Sequence, residues 1–169
     1  MSIESRAEKL RTLIHAFIRN FGLLDQTRTP CGMPISVSDA YALMELLKNP
    51  GIEQVKLARR LGLSKSATTR LIQRLIRRGQ IKRNRSNDDG RAYHLQLTEK
   101  GIRQATAINK ESLATFKAIT SNLSDNAIEH LLEHMPHLIR ALPRSIQRIN
   151  MSINDEPKKP FYKDKMIDC

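Results

Sequence analysis

The sequence predicts a mainly α-helical chain of the α+β class: a helix-turn-helix that runs into a two-strand wing, flanked by long helices. Three observations carry this expectation. Leu and Ile recur at steps of three and four through most of the 169 residues, which is the spacing of an apolar helical stripe. Between Gln54 and Arg91, two short helical patterns around Gly62 lead into two strand-like runs separated by turn formers. The positive charge is focused there as well. From Lys56 to Arg103 there are 14 Lys and Arg against 3 Asp and Glu, whereas the whole chain has 29 against 17 and a net charge of +12. The rest of the chain is therefore close to neutral.

Composition fits a folded core. With 40% hydrophobic residues, no Trp and only 4% aromatics, that core has to be aliphatic. The length corresponds to about one domain. The N-terminal stretch carries charges throughout and lacks a secretory apolar core. No run approaches the roughly 18 apolar residues that a membrane-spanning helix requires. Cys31 and Cys169 do not form a disulfide framework, so the expected setting is reduced and cytoplasmic, with no membrane partner.

In chain order, Ile3, Ala7, Leu10, Leu13, Ile14, Phe17, Ile18, Phe21 and Leu24 form one stripe on a helix spanning 3–24. Such a stripe needs cover, and a partner subunit is the candidate. Pro30, Gly32 and Pro34 make 25–35 an ordered loop. Ser36 or Ser38 then caps a second helix with Ala40, Leu43, Met44, Leu46 and Leu47 on its buried side, ended by Asn49-Pro50-Gly51. A third helix runs from about Glu53 to Leu61, and a fourth from about Lys65 to Arg78. Strands are expected over 81–85 and 92–97, joined by the turn formers Ser86-Asn87-Asp88-Asp89-Gly90. Thr98 caps a long helix through Asn122, and Ser124-Asp125 caps another. Pro136 falls inside that last helix, so a kink or break is expected near His134. From 151 onward, prolines and mixed charge predict a flexible tail.

A helix-turn-helix needs a small residue where its helices cross, a turn residue that tolerates positive φ, and apolar residues locking the pair. Gln54, Ala58, Gly62 and Leu71 supply that set, with Leu57, Leu61 and Leu63 adding packing. Thr68 stands where a β-branched aliphatic residue is usual. In the second helix Ser64 is a good N-cap. Ser66, Ala67, Thr68 and Thr69 are small enough to let a helix approach a groove floor, while Lys65, Arg70 and Arg74 have the reach for phosphates or a guanine edge. A basic helix-turn-helix is the electrostatic footprint of a duplex DNA binder.

Residues 36–101 resemble the MarR family of winged helix-turn-helix transcriptional regulators. The resemblance rests on Leu57-Ala58-Arg59-Arg60-Leu61-Gly62-Leu63-Ser64-Lys65-Ser66, Thr69-Arg70-Leu71-Ile72-Gln73-Arg74-Leu75 and Arg78-Gly79, then Arg83, Asp89-Gly90-Arg91 and Leu97-Thr98-Glu99-Lys100-Gly101. It implies a homodimer built from a helix and loop in 1–35 and helices in 101–150, with 36–100 as the DNA-binding domain. Ser64 to Arg74 would be the recognition helix. Arg91 would enter the minor groove with Asp89 orienting it, and Arg83 and Arg85 would face phosphates. Palindromic double-stranded DNA follows from two-fold symmetry, and a small-molecule effector would bind between the dimerisation helices and the DNA-binding lobe. Pro136 and Pro143 interrupt what is usually one long C-terminal helix in the family.

Other constellations are thinner. Cys31 lies in the loop near Arg28 and the start of the second helix, an arrangement that suits a redox-active thiol as well as a small buried residue. His130, His134 and His137 fall on one side of a helix, and His130 with His134 has the four-residue spacing of a zinc pair, but no further ligand cluster accompanies them. No cofactor is expected. No phosphate loop, serine nucleophile motif or His-Glu-x-x-His pattern appears, so enzyme activity is not expected. The reading is a sequence-specific transcriptional regulator, a repressor relieved by a small effector. Its alternatives are a regulator switched by oxidation of Cys31, or a nucleoid-associated protein without sequence preference.

Overall fold

A computed structural model of the protein describes residues 2–85 and 93–142, with the side chain of Arg85 excepted. Its elements are α1 (Ile3–Asn20), α2 (Val37–Lys48), β1 (Ile52–Glu53), α3 (Gln54–Leu61), α4 (Lys65–Arg77), β2 (Ile81–Arg85), β3 (Tyr93–Leu97), α5 (Glu99–Ser121) and α6 (Asp125–Ala141). Contacts divide the chain into two compact units, Met1–Ala118 and Ile119–Cys169. The expected turn at 86–90, Ala92, Pro143 and the tail lie outside the described residues.

In the first unit the core is aliphatic. Leu43 and Leu46 of α2, Leu57 of α3, Leu71, Ile72 and Leu75 of α4, Ile81 of β2, Leu95 of β3 and Ile108 of α5 are all buried together. Each such side chain contributes about 1.5–3 kcal/mol by leaving water. Ser36, rather than Ser38, caps α2 by accepting from the Asp39 amide at 3.3 Å. Gly62 closes α3 at φ +63°, and the Leu63 amide donates back to the Ala58 carbonyl at 3.0 Å. This helix ending requires a left-handed residue, which glycine adopts without steric cost.

Three strands form one antiparallel sheet in the order β1-β3-β2. The hairpin is expected from the sequence but β1 is not, because two residues are too short to show a period. β1 is held by pairing, with Ile52 opposite Leu95 and Glu53 opposite His94. His94 Nδ1 donates to the Gly51 carbonyl at 2.7 Å, fixing the strand's entry.

α1 is shorter than its apolar pattern suggested. It stops at Asn20, and Gly22 turns the chain at φ +76°. Phe21 stacks on Phe17 with ring centroids 5.0 Å apart and meets Phe116 of α5 at 5.7 Å. The helix buries none of its residues, and Ile3, Leu10, Leu13 and Phe17 are exposed.

α5 is capped by Thr98, whose Oγ1 accepts from the Gly101 amide at 3.1 Å. Its first turn clasps the end of α4. The Thr98 hydroxyl donates to the Gly79 carbonyl at 2.7 Å, the Thr98 amide to the Gln80 carbonyl at 3.0 Å, and Lys100 Nζ to the Arg78 carbonyl at 2.8 Å. Gly101 permits this approach, since a Cβ there would lie 1.9 Å from the Gln80 carbonyl oxygen.

In the second unit, α6 is not broken at Pro136, one of the two outcomes expected there, and ends at Ala141. Proline at 136 has no N–H to donate to the Leu132 carbonyl, one turn back. Leu132 is 72% exposed, so water can satisfy that carbonyl and the helix can continue.

Candidate nucleic-acid interface

Helix α4 is set by its apolar phase. Thr68, Leu71, Ile72 and Leu75 are buried, which turns Ser66, Arg70, Gln73 and Arg77 to solvent in steps of four, three and four. Lys65 is exposed at the N-terminal edge of the same surface. Ser64 caps the helix, its Oγ accepting from the Ala67 amide at 3.2 Å. Among the described residues no ion pair involves Lys65, Arg70, Arg77 or Arg83. Three of those four cations sit on or beside the outward stripe of α4.

This geometry engages two of the expected contact residues within the free protein. Thr68 is fully buried, and its hydroxyl donates to the Ser64 carbonyl at 2.9 Å. It is a core residue, filling the place of the usual aliphatic one, and cannot reach a groove. Arg74 is turned sideways onto α2. Its Nε lies 3.2 and 3.0 Å from the two Asp39 oxygens and its Nη2 2.5 Å from Oδ1. Arg78 Nη1 adds a bond to Oδ2 at 3.0 Å. Hydrogen bonding to Asp39 raises the Arg74 pKa further above its already high ordinary value. The role of Arg74 in the free protein is thus to brace the helix on a carboxylate that is 1% exposed.

Thr69 flanks the stripe on the α3 side. Its Oγ1 accepts from Gln54 Nε2 at 3.1 Å and donates to the Lys65 carbonyl at 2.9 Å, so its hydroxyl proton is already engaged. Ser66 keeps its hydroxyl near Ser64 Oγ, at 3.2 Å. Gln73 and Arg77 share this exposed face but are not among the contact residues expected from the sequence, whose helical members run from Ser64 to Arg74. The signal was present: once 68, 71, 72 and 75 are taken as core, 66, 70, 73 and 77 are the opposite face. Asp39 was missed too, because nothing local marks an aspartate whose partners lie 35 and 39 residues away.

On the wing, Arg83 projects from β2 and its guanidinium carbon lies 3.4 Å from the centroid of the Tyr93 ring. The Arg85 side chain, Asp89 and Arg91 lie outside the described residues. Behind the interface, a cleft of about 610 Å³ runs between the segment following α1, the start of α2 and the end of α4, with Asp25, Ser36, Ser38, Asp39, Arg74 and Arg78 among its lining. Asp25 closes a local turn by accepting from the Thr27 hydroxyl and amide at 2.7 and 2.8 Å, which lowers its pKa.

Cys31 is half-buried in the loop, with its Sγ 3.0 Å from Thr29 Oγ1. His130 and His134 place their rings 6.1 Å apart. Among the described residues no group of three or more His, Cys, Asp or Glu is placed to hold a metal ion. Nor is any described helix long and apolar enough to cross a membrane.

Two helices locked through Gly62, an outward basic stripe on the second and an adjoining strand hairpin define a winged helix-turn-helix. Residues 32–92 match the model of the MarR family. Over 111 residues the chain is 32% identical to the uncharacterized HTH-type transcriptional regulator YfiV of Bacillus subtilis, a match covering 65% of this chain and 69% of YfiV. The chain belongs to the MarR family. It is also 42% identical over 62 residues to the transcriptional repressor MprA of Escherichia coli strain K12, but that match spans only 37% of this chain and 35% of MprA. The fold is similar to that of Streptococcus pneumoniae FabT in its crystal structure with DNA, with a TM-score of 0.63 at 22% identity over 82% of this chain and 96% of FabT.

Proposed function

We propose that the protein is a homodimeric, sequence-specific DNA-binding regulator, acting as a repressor relieved by a small effector. The observation that carries the reading is the stripe Ser66, Arg70, Gln73 and Arg77 on a helix whose opposite face is core. Ser66 is short enough for a groove floor, Gln73 has an amide suited to an adenine edge, and Arg70 and Arg77 suit guanine or phosphate. The bare apolar stripe of α1 supports a second copy as partner. A two-fold dimer presents two such helices to successive grooves roughly 34–36 Å apart on palindromic DNA.

The cleft behind α4 supports effector control. A ligand there would touch the same Arg74 and Arg78 that brace the recognition helix, and would shift its placement by differential affinity for the two states. MprA and FabT, described respectively as a repressor and as a DNA complex, lend the reading its precedent within similar proteins.

Selection of bound duplexes from a random pool by the purified protein tests this. The expected result is enrichment of a palindrome with half-sites about one turn apart, bound roughly 10³–10⁷ more tightly than unrelated duplex. Salt-sensitive binding without enrichment would instead favour a nucleoid protein, and loss of binding only after peroxide would favour the Cys31 switch.

A further inference from the structure

The hairpin register puts Arg83 opposite Leu95 and Arg85 opposite Tyr93. Alternation then places Ile81, Arg83, Tyr93 and Leu95 on one face of the sheet. Ile81 and Leu95 are buried against the helix-turn-helix, whereas Tyr93 is half-buried and Arg83 exposed. The core-facing side of the wing thus continues beyond the core as an aromatic ring with a cation lying on it. The 3.4 Å separation between guanidinium carbon and ring centroid is that of close stacking. Stacking engages the flat face of a guanidinium and leaves its N–H edge, the part that meets phosphate oxygens two at a time.

We propose that Tyr93 is a positioning residue: its ring holds the Arg83 guanidinium edge-outward for a backbone phosphate of the duplex engaged by α4. This rests on the DNA-binding reading above. A free arginine must order a long side chain on binding, and a stacked one has lost much of that freedom beforehand. No carboxylate among the described residues competes for Arg83.

The test is a set of anisotropy titrations with a labelled duplex, selected as above or of random sequence. Tyr93→Val, which suits a strand but has no ring, should weaken binding about two- to fivefold per half-site. Tyr93→Phe should restore wild-type affinity. In an Arg83→Ala background, itself showing a salt slope reduced by about 0.9 per half-site, Tyr93→Val should have no further effect. In wild-type protein free of DNA, Arg83 side-chain protons should show the ring-current shift of a stacked guanidinium, a measurement that needs no variant to fold. A missing shift, or an equal loss from Tyr93→Val in both backgrounds, overturns the inference while leaving the DNA reading intact. If the wild-type protein binds no duplex, the DNA reading fails and the inference with it.

Discussion

Asp39 shows how far the outward face of α4 depends on a carboxylate buried behind it. It is buried, accepts from Arg74 and Arg78, and ties the start of α2 to the end of α4. Asp39→Ala should lower stability by about 1–3 kcal/mol in urea unfolding, because charge-assisted hydrogen bonds are lost while both arginines can still turn to water. DNA affinity should fall with it, and a variant with unchanged affinity would show that α4 needs no brace. The residue type of Thr68 and Arg74 was legible, but their roles were not. A hydroxyl and a guanidinium suit DNA chemically, yet helix phase and a distant carboxylate decide where they point. Thr68→Val should therefore leave DNA affinity unchanged and stability within about 1.5 kcal/mol, since the Ser64 carbonyl keeps its bond from the Thr68 amide at 2.9 Å. Arg77→Ala should instead lower the slope of log affinity on log salt by about 0.9 for each phosphate released. Competition binding over a range of salt separates the two.

Among the elements, the helices were legible because their stripes are long, and the caps because Ser64, Thr98 and Ser124 announce them. Ends set by tertiary packing were not: the apolar pattern of α1 runs on past Asn20, but Gly22 turns the chain and Phe21 packs on Phe116. β1 has no pattern of its own and exists through Leu95 and Gly51. Pro136 does not end α6, since an exposed helix tolerates a missing bond that a buried one would not. Where α5 meets the α4–β2 junction, the demand for glycine is steric. Gly101→Ala would put a methyl group into the Gln80 carbonyl oxygen, and the backbone must separate to accept it. The expected cost is about 1–3 kcal/mol, read as a lowered urea midpoint. An unchanged midpoint would mean that α5 is not seated as described.

At the level of the molecule, charge and apolar surface are segregated. The wing domain carries most of the net positive charge, and the helix that precedes it carries an uncovered apolar stripe. Dimerisation through that stripe predicts that Leu13→Glu yields monomers by sedimentation and loses the tightness that comes from engaging two half-sites at once. A variant that stays dimeric would place the interface elsewhere. Composition made this division legible, but not the joint between its parts. The Thr98 and Lys100 clasp, with Gly101 beneath it, fastens the first turn of α5 to three consecutive carbonyls at the end of α4. α5 is a rod of 23 residues, about 35 Å long at 1.5 Å per residue. Helix α4 is fastened at the fulcrum of this rod rather than at its tip. A tilt of about 5° about that joint would sweep the far end by about 3 Å over such a length. By the same lever, a displacement of a few ångströms along the outer part of α5 would reach α4 as a small rotation with little linear travel, re-aiming that helix rather than withdrawing it.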